Sequence, residues 1–277
     1  MRLDNTPPGR VTVVAQRDPW ASPASVWRLA AALAKQRIAN RFAGSWMGYF
    51  WSLAYPMVLV IVYAAVFSVI ARSGPGEQSY AAYICSGLFF WLFLSGSLSE
   101  STTALIDAKP VISQCYFPRW VIPCAVSMSN LFLFLCTIPI LFGVLLFLGT
   151  PPQWSLLALP LVLVTAWAFA FGAALVLAAV SVIYRDMQHV VSLVLTPAFF
   201  LSPVLYSVET LHKAPALVWL VRLNPATPFL DLMRHCFLEP RSDAPRLLAI
   251  AALYALVSVT IGFWLFRRME RAVAIRL

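Results

Sequence analysis

Long apolar windows without charge alternate along the chain with short basic, polar stretches, and the windows have the length of membrane-spanning helices. A hydrocarbon core about 30 Å thick takes about 20 mostly apolar residues in helical form. Arg41 and Arg72 enclose one such window, Glu77 and Glu100 a second, and Arg246 and Arg267 a third. Between Arg119 and Arg185 lie 65 uncharged residues, which the break Gly149-Thr150-Pro151-Pro152-Gln153 divides into two helices joined by a tight turn. A further apolar run, Val190 to Tyr206, follows the polar stretch Tyr184 to His189. The pattern predicts an all-α integral membrane protein of six transmembrane helices, at about 49–70, 80–99, 121–148, 156–183, 189–206 and 247–266.

Two segments are apolar but do not read as spans. In residues 22–42, Ser22 as hydroxyl cap and Pro23 in the first turn start a helix. Trp27, Ala31, Ala34, Ile38 and Phe42 form one stripe, with Arg28 and Lys35 on one flank and Arg37 and Arg41 on the other. That is the pattern of an N-terminal amphipathic helix in the membrane interface, although Leu29 and Leu33 fall on the opposite face. In 207–245, an apolar piece from Ala216 to Leu223 is broken by Asn224-Pro225, and Thr227-Pro228 starts another reaching Leu238. These predict two short helices in the outer leaflet between spans five and six, with Asp231, Arg234 and His235 facing water or one another. Residues 1–21, holding Pro7, Pro8, Gly9 and Pro19, read as a flexible lead, 46–269 as one membrane domain, and 270–277 as a tail.

Composition agrees with lipid as the main solvent. The chain is 61% hydrophobic and 11% charged, whereas a soluble domain keeps about a quarter of its residues charged. The net charge of +9 resolves by position into +8 on the side holding both termini and +1 on the other. Basic residues near span ends stay cytoplasmic, so both termini are expected there. No secretory signal is expected, since the first 45 residues are polar and basic. The basic residues flank spans, which fits anionic lipid headgroups and not nucleic acid.

The absent chemistry is equally informative. Of the three lysines, Lys35, Lys109 and Lys213, none follows a glycine, so there is no phosphate-binding G-x-x-x-x-G-K loop. No carboxylate is expected mid-span, which argues against an ion relay. His189, His212 and His235 lie far apart, and the five cysteines, Cys85, Cys115, Cys124, Cys136 and Cys236, form no C-x-x-C pair. No catalytic residue, metal site or cofactor is expected in this chain.

What remains is a set of aromatic, basic and loop features. Trp51 and Tyr55, Phe89 and Phe93, and Phe199 and Tyr206 share helix faces; they pack or belt the membrane, or they offer weak sliding contacts to sugar rings. Pro56, Pro123, Pro139, Pro160, Pro197 and Pro203 fall in the spans and are expected to bend them. The stretch from Glu100 to Arg119 carries Leu105, Ile106, Val111, Ile112, Tyr116 and Phe117 among its charges. It is long enough for a short helix that docks on another protein; it and the short Arg185-Asp186 loop otherwise serve as connectors. Lys35, Arg37 and Arg41 either anchor the chain or also meet an anionic headgroup.

Several of these stretches together resemble a known family. Arg41 to Trp51 (R-F-A-G-S-W-M-G-Y-F-W) with Pro56, Tyr116-Phe117-Pro118-Arg119 with Ile122-Pro123, Tyr184-Arg185-Asp186, Ser202-Pro203-Val204-Leu205-Tyr206, and Leu223-Asn224-Pro225 with Arg234 are similar, in order and spacing, to type 2 ABC permeases that export O-antigen, capsule or teichoic acid. One departure is Trp120, where that family often has a polar residue. The resemblance implies a bacterial inner-membrane homodimer without a nucleotide site of its own. It would pair with two copies of a separate ABC ATPase, which holds ATP and magnesium, and its substrate would be an undecaprenyl-diphosphate-linked glycan, with O-antigen first and another glycan, a small drug or a lipid as alternatives. It implies roles for Lys35, Arg37 and Arg41 at the diphosphate headgroup, for Trp51, Tyr55, Phe89, Phe93, Phe199 and Tyr206 along a glycan path, for Asp107, Lys109, Phe117, Arg119, Arg185 and Asp186 in ATPase coupling, and for Trp219, Asn224 and Arg234 at an outer gate.

Overall fold

A computed structural model describes residues 22–43, 48–70, 77–114, 117–147, 153–211, 215–238 and 240–276. The lead 1–21, the Gly44 to Met47 motif, Tyr116 and all of the Gly149 to Gln153 break except Gln153 lie outside the described residues. Every regular element described is helical. A helix pairs its backbone polar groups within one segment, and an apolar chain in lipid has few other ways to do so.

In chain order the elements are α1 (Pro23–Phe42), α2 (Gly48–Ile70), α3 (Glu77–Asp107), the short α4 (Lys109–Gln114), α5 (Val121–Phe147), a 3₁₀ turn (Trp154–Ala158) leading into α6 (Leu159–Ile183), α7 (Met187–Leu201), a second 3₁₀ turn (Val208–Leu211), α8 (Pro215–Leu223), α9 (Ala226–Phe237) and α10 (Ala244–Arg276). Among the described residues, four helical stretches are long and apolar enough to cross a membrane: Ala82–Asp107, Val121–Phe147, Trp154–Ile183 and Ala244–Glu270. Ala54–Tyr63 within α2 and Met187–Leu201 are shorter apolar helices. With a rise of 1.5 Å per residue, α7 is only about 22 Å long. The apolar run from 189 to 206 therefore does not form one helix: it stops at Leu201, and Ser202 to Tyr206 continue as irregular backbone. Pro203 lies in that irregular stretch, while Pro160 occupies the first turn of α6 and Pro123 that of α5, where a missing N–H costs nothing. Of the six prolines expected to bend spans, Pro56, Pro139 and Pro197 sit in helix interiors.

α3 is the central element, packed against α2, α5, α6, α7 and α9. Its residues from Ala82 to Leu94 carry the largest buried side chains, among them Phe89, Phe90 and Ile84. Around them α5, α6, α7 and α9 complete the larger apolar cluster. A second cluster joins α1, the C-terminal part of α3 and the ends of α5, α6 and α10. α6 and α10 approach most closely of all: Ser258 on α10 donates its hydroxyl to Phe169 O on α6 at 2.9 Å, and Gly172 and Gly262 face each other across the crossing.

The face that α1 buries against the bundle is Val26, Ala30 and Ala34; it shares Ala34 with the stripe expected for the membrane interface, whose Trp27 and Ala31 are exposed. Small Ala30 and Ala34 let the helix lie close on α5, while Trp27, 45% exposed, wedges over Trp120 and Trp167 with ring centroids 6.4 and 5.9 Å away. Leu29 and Leu33, expected to turn away, pack against the second cluster. Ser22 makes no side-chain cap; the Ser25 hydroxyl instead donates to Ser22 O at 2.6 Å.

Candidate functional site

At one end of the bundle the C-terminal turns of α1 meet α3 and α5 in a charged cluster. Arg37 and Arg41 are one helical turn apart and share a face. Arg41 donates to Glu100 Oε1 on α3 at 2.6 Å, and Arg37 Nη2 lies 3.6 Å from Oε2. Asn130 on α5, nearly buried, donates to the same Oε2 at 3.2 Å and to Val126 O at 3.1 Å. Lys35 is exposed. Two of the three predicted anion-binding cations thus converge on one carboxylate.

The loop side of the same end presents Asp107 and Lys109, both exposed, and α4, whose Val111 is exposed beside Ile106 of α3. A short helix is therefore present in this loop, with Val111 exposed on it. Arg119 reaches α10, donating to Glu270 O at 3.4 Å. Phe117 is buried in the second apolar cluster, so it fixes the loop from within. Arg185 and Asp186 are exposed in the turn before α7. Trp120, the departure from the family pattern, stacks edge-on against Phe263 at 5.6 Å and packs on Trp27, joining α1 to α10.

The irregular segment after α7 is held by side chains from two other helices. Arg234 of α9 donates to Pro203 O and Val204 O, the latter at 3.2 Å. Tyr80 and Tyr83 of α3 donate their hydroxyls to Leu205 O at 2.7 Å and Tyr206 O at 2.8 Å. Four successive carbonyls that a helix would have paired are thereby satisfied, as backbone in an apolar setting requires. The Arg234 guanidinium also lies 3.6 Å over the Tyr83 ring and 3.4 Å from Asp231. Asn224 donates to the Ser202 hydroxyl at 2.8 Å and accepts from the Ala226 N–H.

Arg234 does not face water. It is 6% exposed, because α9 is inserted among α3, α6 and α10 with ten of its twelve residues buried. Its charge survives there because Asp231, two carbonyls and a π face surround it. α8 by contrast lies at the surface, with Trp219 70% exposed. His235 accepts the Arg241 N–H at Nδ1, 2.8 Å away. Arg241 also donates to Asp243 at 3.0 Å, which holds that carboxyl below the usual range.

The aromatic residues divide. Trp51 and Tyr55 lie on the surface of α2, whereas Phe89, Phe93 and Phe199 are packed inside the subunit. Tyr206 is half-buried, its hydroxyl donating to Phe200 O at 3.0 Å. Among the described residues no three His, Cys, Asp or Glu side chains group as metal ligands, and Cys85, Cys124, Cys136 and Cys236 are free thiols. Sequence reasoning missed Glu100 and Asn130 as partners of α1, and Tyr80 and Tyr83 as partners of the 203–206 segment. The available signals were an isolated acid between Glu77 and Asp107 and two tyrosines three residues apart.

Residues 28–238 match the protein-family model described as ABC-2 type transporter. The chain is 30% identical over 222 residues, 80% of this chain and 85% of the relative, to the O-antigen export system permease protein RfbA of Myxococcus xanthus. It is 26% identical to a protein of that name from Klebsiella pneumoniae, over 83% of this chain and 87% of the relative. The polysialic acid transport protein KpsM of Escherichia coli is 24% identical, over 87% of this chain and 93% of that protein.

Proposed function

Because this chain belongs to the ABC-2 type transporter family, a family of multi-pass membrane permeases, we propose that it is the transmembrane subunit of an ATP-driven exporter of lipid-linked polysaccharide, O-antigen first among the candidates. The observation that carries this reading is the similarity, along most of both chains, to permeases named for O-antigen export. The similarity to a polysialic acid transport protein supports a capsule glycan as the second reading. A teichoic acid, a small drug or a lipid is a more distant alternative.

In this reading six spans place both termini in the cytoplasm of a bacterial inner membrane, as the distribution of Arg and Lys favours, and two subunits pair around a path. Two copies of a separate ATPase, carrying ATP and magnesium, dock on α4 with Asp107, Lys109 and exposed Val111, and on the Arg185-Asp186 turn. Phe117 and Arg119 transmit the movement, the first through its buried ring and the second through α10. The diphosphate of an undecaprenyl carrier meets Lys35, Arg37 and Arg41, since guanidinium forks match phosphate oxygens. The glycan slides along exposed aromatic faces such as Trp51 and Tyr55, while the buried Phe89, Phe93 and Phe199 hold the bundle that carries them. Segment 207–245 forms the outer gate, with Trp219 at the surface and Arg234 and Asn224 tying it to the bundle.

The test is a strain lacking the protein. Lipid-linked glycan should accumulate on the cytoplasmic side with none at the cell surface, and plasmid-borne protein should restore it. Normal surface glycan in the deletion strain refutes the reading.

A further inference from the structure

Glu100 is the single acid between Glu77 and Asp107, and its surroundings are built for it. Asn130 holds Oε2 from behind, and Gly96 leaves room for Asn130: a Cβ at position 96 would lie 2.8 Å from the amide oxygen. In front, Arg41 takes Oε1 and Arg37 faces Oε2. The side chains of Arg37, Arg41 and Glu100 are 30, 44 and 26% exposed, so all three are reachable from outside the bundle. Two cations against one anion leave the cluster positive, with Lys35 adding to it.

We propose that Glu100 is a resident counter-ion: it fills the anion position between Arg37 and Arg41 until a diphosphate-lipid headgroup arrives, and then yields it. This rests on the headgroup reading above. A diphosphate has more charge and more acceptor oxygens than a carboxylate, and guanidinium groups bind it bidentately. Exchange of one anion for another also keeps both guanidiniums paired, since an unpaired, partly buried cation is costly. Asn130 keeps the released carboxylate in place, ready to return when the headgroup leaves. Exchange breaks the ionic tie between α1 and α3 while the apolar contact through Val26 and Ala30 persists, so occupancy is sensed at the C-terminal turn of α1.

The experiment uses the full chain with its ATPase subunit in phosphatidylcholine nanodiscs, and farnesyl diphosphate as the probe. Glu100→Gln keeps the shape and the Asn130 contact but removes the competing charge, and should bind the probe roughly two- to fivefold more tightly, the size of an exposed ion-pair contribution. Glu100→Asp draws the carboxylate back by one methylene and should show a smaller gain in the same direction; either variant that assembles is sufficient. A purely structural tether predicts unchanged or weaker binding, and that result overturns the inference. The double variant Arg37→Ala with Arg41→Ala separates the two levels. Wild-type affinity in it refutes the headgroup reading itself, whereas lost affinity there with no gain at position 100 refutes the counter-ion alone. If phosphatidylglycerol added to the nanodiscs displaces the probe and abolishes the Glu100→Gln gain, the exchanged anion is bulk lipid and the diphosphate assignment falls.

Discussion

The crossing of α6 and α10 depends on the absence of a side chain at Gly172. A Cβ there would stand 2.5 Å from both the carbonyl oxygen and the hydroxyl of Ser258, and nearer still to its carbonyl carbon. Ordinary contact begins about an ångström further out, so Gly172→Ala forces the two helices apart. Overpacking of this kind costs about 1–3 kcal/mol. Separation also stretches the 2.9 Å bond from Ser258 to Phe169 O, worth about 0.6 kcal/mol in a membrane protein. The expected loss is therefore about 2–4 kcal/mol, read as a lower unfolding midpoint of the purified protein in detergent. Gly143 supplies the internal control: it lies in α5 with nothing within 4 Å of its Cβ position. Gly143→Ala should be neutral or slightly stabilising, since alanine is the better helix former by up to about 1 kcal/mol. Equal midpoints for the two alanine variants would refute the argument.

Three further outcomes are expected. Arg234→Met leaves Asp231 and the Pro203 and Val204 carbonyls buried without their partner, and should cost about 3–5 kcal/mol, against about 1 kcal/mol for Tyr83→Phe; unfolding midpoints in detergent that do not rank this way contradict the stitching role. Trp51→Ala with Tyr55→Ala removes surface side chains, so assembly should persist while surface glycan falls, whereas Phe89→Ala should lose about 3–5 kcal/mol of stability through its cavity. Quantifying surface glycan and purified complex side by side distinguishes the two. Val111→Asp in α4 should reduce co-purification of the ATPase subunit without lowering the midpoint of the permease alone, and undiminished co-purification would exclude α4 from the docking surface.

The positions of α3, α5, α6 and α10 were legible because charge is excluded from a bilayer core, so the gaps between charged residues mark where helices can run. The start of α1 at Pro23 was legible for a local reason as well, the proline in its first turn, whereas the loop from Glu100 to Arg119 showed only room for a short helix and not its position at 109–114. The end of α7 was not. Val190 to Tyr206 is uncharged and mostly apolar, and hydropathy does not distinguish a helix from irregular backbone whose carbonyls are satisfied from elsewhere. Which face of α1 meets the bundle was not legible either, because Val26, Ala30 and Ala34 are selected by their close fit on α5.

By itself the sequence determined that the protein lives in lipid as a set of helices, which side its basic residues favour, and that it carries no nucleotide-binding loop. Those properties follow from composition and from periodicity over tens of residues. Only the tertiary structure decided that Arg234 is buried over Tyr83 and that Glu100 stands between Arg37 and Arg41. Their partners are 30 residues away or more, at Pro203, Val204, Asn130 and Arg41. A charged side chain in an apolar helix is either exposed or neutralised, and which of the two holds is set by what the other helices bring to it.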